Sequence, residues 1–233
     1  TDAVGGKGYR QIDINLGCPF PMIAGKHKGA GMLLYPAQVA EVLAPIAEYP
    51  EIQFSLKMRL GWENASECMV LVELLNALRL SRIALHARTG KQQYKGHPDL
   101  EAFQGFYELC QHPLYYNGGI ESLSDIRQIL IRFPLLKGVF IGRGLLSSPL
   151  LAKEFKGNET FLPEQRMSIY FAFHEELFSA YSQVLQGETQ LLVKMKTLWE
   201  YFLPETDRKL LKRIKKSTRL QQYTESVKAI FTS

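Results

Sequence analysis

The stretch Arg10-Gln-Ile-Asp-Ile-Asn-Leu16-Gly17-Cys18-Pro19 decides how the rest of the chain is read. Ile12 and Ile14 alternate with polar residues, the period of a strand with one apolar face. Asn15 stands at the strand's end, and Gly-Cys-Pro turns the chain sharply. Outward from here the same rhythm returns. Strands are predicted over 52–59, 82–87, 114–116 and 138–141. Between them lie a Gly-, Lys- and His-rich loop (17–31) and helices over 37–49, 65–78, 100–109 and about 122–132. Asn64 or Ser66 could cap the second of these helices.

Parallel β/α units therefore fill the first part of the chain. Every polar cluster follows a strand, where a β/α barrel places its active site. Five strands are too few to close a barrel, which usually has eight. The alternative is an open doubly wound sheet, but no G-x-G-x-x-G turn follows the first strand. After about Phe155 the pattern becomes helical over 163–186, 189–202, 207–217 and 221–231. The fold class expected is α/β: the last five units of a TIM-type barrel (1–155), then a small all-α domain (156–233), with Gly157-Asn158-Glu159 as linker.

Composition sets limits. The 233 residues are 46% hydrophobic, enough for one good core and room for a smaller second one. No apolar run approaches the ~20 residues of a membrane span. Three cysteines at no metal-type spacing favour thiols in a reducing compartment. The charge of +5 permits a polyanionic partner. Its cations crowd between Lys194 and Arg219, and a solvated helix face is the plain alternative. The chain opens Thr-Asp-Ala-Val-Gly-Gly, with no initiator Met and no signal pattern, and reads as the middle of something longer.

Four clusters carry candidate chemistry. Cys18 on its turn could serve as an acid, a nucleophile or a redox thiol, or be a buried structural residue. Lys57 and Arg59 alternate at a strand end, as do His86 and Arg88. Beside a flavin, Lys57 would stabilise negative charge on the pyrimidine end of the reduced ring; a salt-bridged strand end is the alternative. The loop after His86 is dense in donors, including Lys91 and Tyr94. Asn117-Gly118-Gly119 and Gly142-Arg143-Gly144 end consecutive strands, a place for a phosphate such as that of FMN.

In this order, N-x-G-C-P, K-x-R-x-G-W, H-x-R-T-x-x-Q-x-Y-x-G, N-G and I-G-R-G-x-x-x-x-P resemble the tRNA-dihydrouridine synthases over about residues 10–150. The basic helical tail is similar to that family's tRNA-binding domain. The resemblance implies an FMN barrel reduced by NADPH, acting on tRNA in the cytoplasm, without metal or membrane, and monomeric at full length. It implies Cys18 as the proton donor to uracil C5. Lys57, His86, Asn117, Gly118, Gly119, Gly142 and Arg143 would hold the cofactor. Asn15, Arg88, Lys91, Tyr94, Lys212, Arg213, Lys215 and Lys216 would meet tRNA. Members usually carry an acidic residue where this chain has Gly119. They also begin with three further strands, so the chain is expected to be truncated. The rivals are an FMN barrel enzyme acting on a small pyrimidine-like molecule and a non-catalytic RNA-binding fragment.

Overall fold

The computed structural model describes residues 8–232, so the opening Thr-Asp-Ala-Val stretch lies outside the described residues. β1 (Gln11–Leu16), β2 (Gln53–Gly61), β3 (Leu80–Thr89), β4 (Leu114–Asn117) and β5 (Gly138–Phe140) form one parallel sheet. Its spatial order is the sequence order, β1-β2-β3-β4-β5. A doubly wound sheet reverses direction at a switch point, and this one does not. The order is that of successive units of a β/α barrel.

Side-chain alternation gives the sheet two unlike faces. Leu16, Met58, Leu85 and Tyr116 stand in register across four strands and are buried. The helices of this unit are α1 (Pro21–Ala24), α2 (Pro36–Leu43), α3 (Glu67–Asn76), α4 (Leu100–Leu109) and α5 (Leu123–Arg132). α3 packs on β2 and α4 on β3, and their Leu71, Leu75, Phe103 and Phe106 are buried. Each such side chain contributes roughly 1.5–3 kcal/mol.

Local chemistry moves several boundaries from their expected places. The 17–31 loop holds α1, begun by Pro21, and a 3₁₀ segment, Gly29–Leu34. The helix expected to Tyr49 is α2 followed by a 3₁₀ segment, Ala44–Glu48, because Pro45 has no N–H to continue the α pattern. Neither Asn64 nor Ser66 caps α3 by its side chain. The Glu67 carboxylate instead accepts from the backbone N–H groups of Trp62 (2.7 Å), Glu63 (3.1 Å) and Asn64 (2.7 Å). Asp99 does cap α4, accepting from Ala102 N–H at 2.9 Å.

The chain divides into two compact units. One runs to Ile120 and includes Ser124–Ile141; the other is Glu121–Leu123 with Gly142–Ser233. The division thus falls before α6 (Arg143–Ser147) and α7 (Leu151–Gly157), not at 155/156. Leu150 packs into the helical core, and buried Glu154 of α7 pairs with Arg166. Gly157-Asn158-Glu159 is consequently a helix end inside the second unit, with Asn158 in the left-handed region (φ 48°).

That unit continues with α8 (Pro163–Val184), α9 (Glu188–Leu198), α10 (Arg208–Lys216) and α11 (Leu220–Phe231). α9 stops short of the expected Phe202. Its last turn tightens, with the Trp199 N–H bonded to Lys196 O, and Leu203 at φ 48° precedes Pro204. Met195, Trp199, Phe202, Ile214 and Tyr223 form its core. At the centre, Trp199 Nε1 donates to Tyr223 Oη (2.9 Å), which lies 2.7 Å from His174 Nε2.

Candidate active site

The second face of the sheet is polar. The rung Asn15–Lys57–Ala84 crosses β1 to β3, and the rung Arg59–His86–Asn117 crosses β2 to β4. These residues come together at the C-terminal ends of adjacent strands because positions two apart in a strand share a face. Ser55, one step deeper, donates to Asp13 at 2.5 Å.

Cys18 is half-buried just beyond β1. Its turn is fixed from several sides. Gly17 N–H donates to Asn15 Oδ1 at 2.9 Å, and Cys18 O accepts from Ala30 N–H at 3.0 Å. Gly29, at φ 55°, lies against it, and a Cβ there would come within 2.9 Å of Cys18 Cβ. Gly17 is equally confined. A Cβ on it would sit 3.3 Å from Asn15 Oδ1 and 3.5 Å from Lys57 Nζ, so both polar tips converge over this glycine.

Lys57 is half-buried, and burial pushes its ammonium below the usual lysine range. The neighbouring Arg59 charge pushes it further down, and Asp13 opposes both. Arg59 is 1% exposed and donates to Gly17 O, Thr89 O and Gln93 O. Its guanidinium lies 5.3 Å from the Tyr94 ring centroid. His86 and Arg88 are both buried. Arg88 Nη1 is 3.3 Å from His86 Nε2, and Nη2 donates to Gly96 O at 2.9 Å. Tyr94 is half-exposed with its ring 6.3 Å from that of His86.

The loops after β2 and β3 are zipped together by Gly90 N–H to Gly61 O (2.8 Å) and Lys91 N–H to Trp62 O (2.9 Å). Trp62 packs so closely on Gly90 that a Cβ there would lie 2.1 Å from its ring. Lys91 forms an exposed ion pair with Glu63, which water and substrate can exchange.

The glycine turns are less uniform than the sequence indicates. Asn117 Nδ2 donates to Phe140 O at 2.8 Å and so ties β4 to β5. Gly118 and Gly119 have φ of 136° and 61°, and a Cβ on Gly119 would meet Pro98 Cγ at 2.9 Å. That approach leaves no room for the acidic side chain common in the resembling family without a shift of Pro98. Both glycines line a cavity of about 400 Å³ with His97, Asp125 and Arg132. Gly142 and Arg143 open α6 and belong to the second unit.

In the second unit, Arg208, Lys209, Lys212, Arg213, Lys215 and Lys216 of α10 are all exposed, while Ile214 is buried. A groove of about 540 Å³ is lined by Lys209, Lys212, Arg213 and Lys216 together with Glu225 of α11. Lys196 is drawn inward, donating to Ser217 O at 2.6 Å.

Sequence reasoning underrated Arg59, read only as the second of two alternating cations. The signal was its place one rung from Lys57 between two loops that needed an anchor. Among the described residues, no group of three His, Cys, Asp or Glu side chains could hold a metal ion. No helix among them is long and apolar enough to cross a membrane.

A parallel sheet in barrel order, with a polar face built at the strand ends, defines a β/α enzyme-type scaffold. The model of the dihydrouridine synthase family matches residues 2–232, and the chain belongs to that family. It is 32% identical over 139 residues to a probable tRNA-dihydrouridine synthase of Rhizobium leguminosarum, covering 59% of this chain and 44% of that protein. It is 36% identical over 149 residues to a probable tRNA-dihydrouridine synthase of Aquifex aeolicus (62% and 46%). A tRNA-dihydrouridine synthase B of Vibrio vulnificus is 27% identical over 161 residues (67% and 50%). The chain spans about half the length of the curated relatives it matches.

Proposed function

We propose that the protein reduces a uridine in tRNA to 5,6-dihydrouridine, with Cys18 as the proton donor. What supports this is one arrangement: Asn15, Cys18, Lys57, Arg59, His86 and Arg88 at the C-terminal ends of three adjacent parallel strands. The residues present fit FMN. Lys57 Nζ and Asn15 Oδ1 converge on a glycine whose Cβ would fill the space between them, and the ammonium is a donor suited to the pyrimidine end of the ring. Gly118 and Gly119 would offer backbone N–H groups to its phosphate. NADPH is the proposed reductant.

Flavin, when bound and reduced, supplies the hydride for uracil C6. The chain's own residues do the rest. The base must leave its stack to expose C5 and C6. Asn15, Arg88, Lys91 and Tyr94 would orient it. Cys18 Sγ holds the proton that goes to C5 and is left as thiolate. The cations of α10 would grip tRNA phosphates. Such a protein would meet its tRNA in the cytoplasm.

The test is the dihydrouridine map of tRNA from a strain lacking the gene, and the same map after complementation. Loss and restoration at defined positions is the expected outcome. An unchanged map, or a purified protein without flavin absorbance, would rule the activity out.

A further inference from the structure

We propose that Arg59 is a positioning residue that locks the Cys18 turn and the Tyr94 loop into one rigid frame. The inference rests on the reading of Cys18 as proton donor.

The geometry is specific. Arg59 Nε donates to Gly17 O at 3.0 Å, and Gly17 directly precedes Cys18. Arg59 Nη1 donates to Thr89 O at 2.9 Å and to Gln93 O at 2.7 Å, and Gln93 directly precedes Tyr94. The guanidinium also lies under the Tyr94 ring. A single planar fork therefore spans the loops after β1 and β3 from the strand between them.

Two further observations show that this is more than a buried charge finding partners. Gly17 is held at both its polar atoms: Asn15 Oδ1 takes its N–H and Arg59 donates to its carbonyl. The peptides on either side of Gly17, including the one entering Cys18, are thus each held by a side chain, and Arg59 is the one that holds the latter. Gln93 sits at φ 53°, a left-handed backbone that a non-glycine residue keeps only when its surroundings over-determine it. Arg59 is one of those determinants. The acceptors of these three bonds are all neutral carbonyls, so charge neutralisation is not what they provide. Burial disfavours the guanidinium charge, and Tyr94 partly restores it. Lysine would carry the same charge but cannot bond to both loops from one plane.

The experiment uses the flavin-loaded full-length protein and compares Arg59→Lys, Arg59→Gln and Tyr94→Leu with the parent. Arg59→Lys should slow single-turnover reduction of tRNA at least about tenfold, as misplaced catalytic groups do, and about as much as Arg59→Gln. Its tRNA affinity should stay within about twofold of the parent. In a Cys18→Ala background Arg59→Lys should add less than about twofold, because both changes remove one unit. Near-parental rates for Arg59→Lys would mean that charge alone matters, and full multiplication of the two effects would mean that Arg59 acts apart from Cys18. Either result overturns the proposal. A second readout needs no turnover: iodoacetamide labelling of Cys18, with Cys110 as internal control. Arg59→Lys and Tyr94→Leu should each speed labelling of Cys18 several-fold and leave Cys110 unchanged. Equal Cys18 labelling in parent and Tyr94→Leu, whose altered side chain is half-exposed and leaves the fold intact, would overturn it even if the Arg59 variants failed to fold. If the parent itself makes no dihydrouridine, the proposed function fails, and labelling still decides whether the two loops are coupled.

Discussion

Arg59 is 1% exposed and gives its N–H groups to three carbonyls, whereas Lys212 and Arg213 stand in solvent with no ion pair among the described residues. The two regions use the same chemistry in opposite ways. On the sheet's polar face each cation has a fixed address and fixed partners, so removing one is a local geometric injury. On α10 the cations differ little from one another, and their number and spacing set what they do. A buried donor loses its full desolvation compensation when its partner goes, while an exposed one exchanges a partner for water.

Substitutions can break or sharpen this contrast. The largest effect is expected on the polar face, where Cys18→Ala should leave flavin bound and slow single-turnover tRNA reduction by ~10²–10⁴-fold, the usual contribution of a general acid. Unaltered single-turnover rates would remove Cys18 from the chemistry. Next comes Glu67→Ala. Its carboxylate serves three backbone amides and no cation, so it belongs with the individually placed groups. Losing it should cost about 1–3 kcal/mol in urea unfolding. A midpoint equal to the parent's would show that water replaces the carboxylate freely.

Smaller effects are expected from the helical unit. Replacing Lys212, Arg213, Lys215 and Lys216 by Gln should flatten the dependence of log Kd on log salt, by up to about 0.9 for each phosphate no longer neutralised. Reverting any one of the four should recover a similar fraction, since none has a unique partner. A single residue carrying the whole slope would erase the distinction between the two regions.

The smallest effect is a pH dependence. Burial holds His174 below its ordinary value of 6.5, and Glu175 opposes this without prevailing. The unfolded chain therefore binds the proton first. The stability that neutral His174 provides is complete above about pH 6.5 and is lost as pH falls toward the lowered folded value. Urea midpoints for the parent should drop between about pH 7.5 and about pH 5.5 more than those of His174→Gln. Parallel midpoints would mean that the imidazole stays neutral or finds a partner on protonation.

Much of this was legible in the sequence, for physical reasons that can be named. Strand period, glycine turns and the order of polar clusters foretold the sheet and its polar face, because period-two alternation fixes which side chains share a face. Helix ends were less legible. Pro45 and the Leu203-Pro204 pair act through single hydrogen bonds that periodicity does not register. The role of Glu67 was hidden because its carboxylate reaches back to amides before the helix, while the sequence offered two better-looking caps. The helical unit begins earlier than composition suggests, since Leu150 looks like any apolar residue until its neighbours are known.

One consequence of the strand order concerns how the chain is made. Among the described strands, each one after β1 bonds to the strand before it, so these four pairings need no partner synthesised later. A ribosome releasing this chain from its N-terminal end presents β2 after β1, β3 after β2, and so on, and every new strand finds its template in place. Closing distances stay short, which keeps the search fast, and the growing sheet extends from one edge at the point of elongation. The order in which the polypeptide is written is also the order in which its sheet can be assembled.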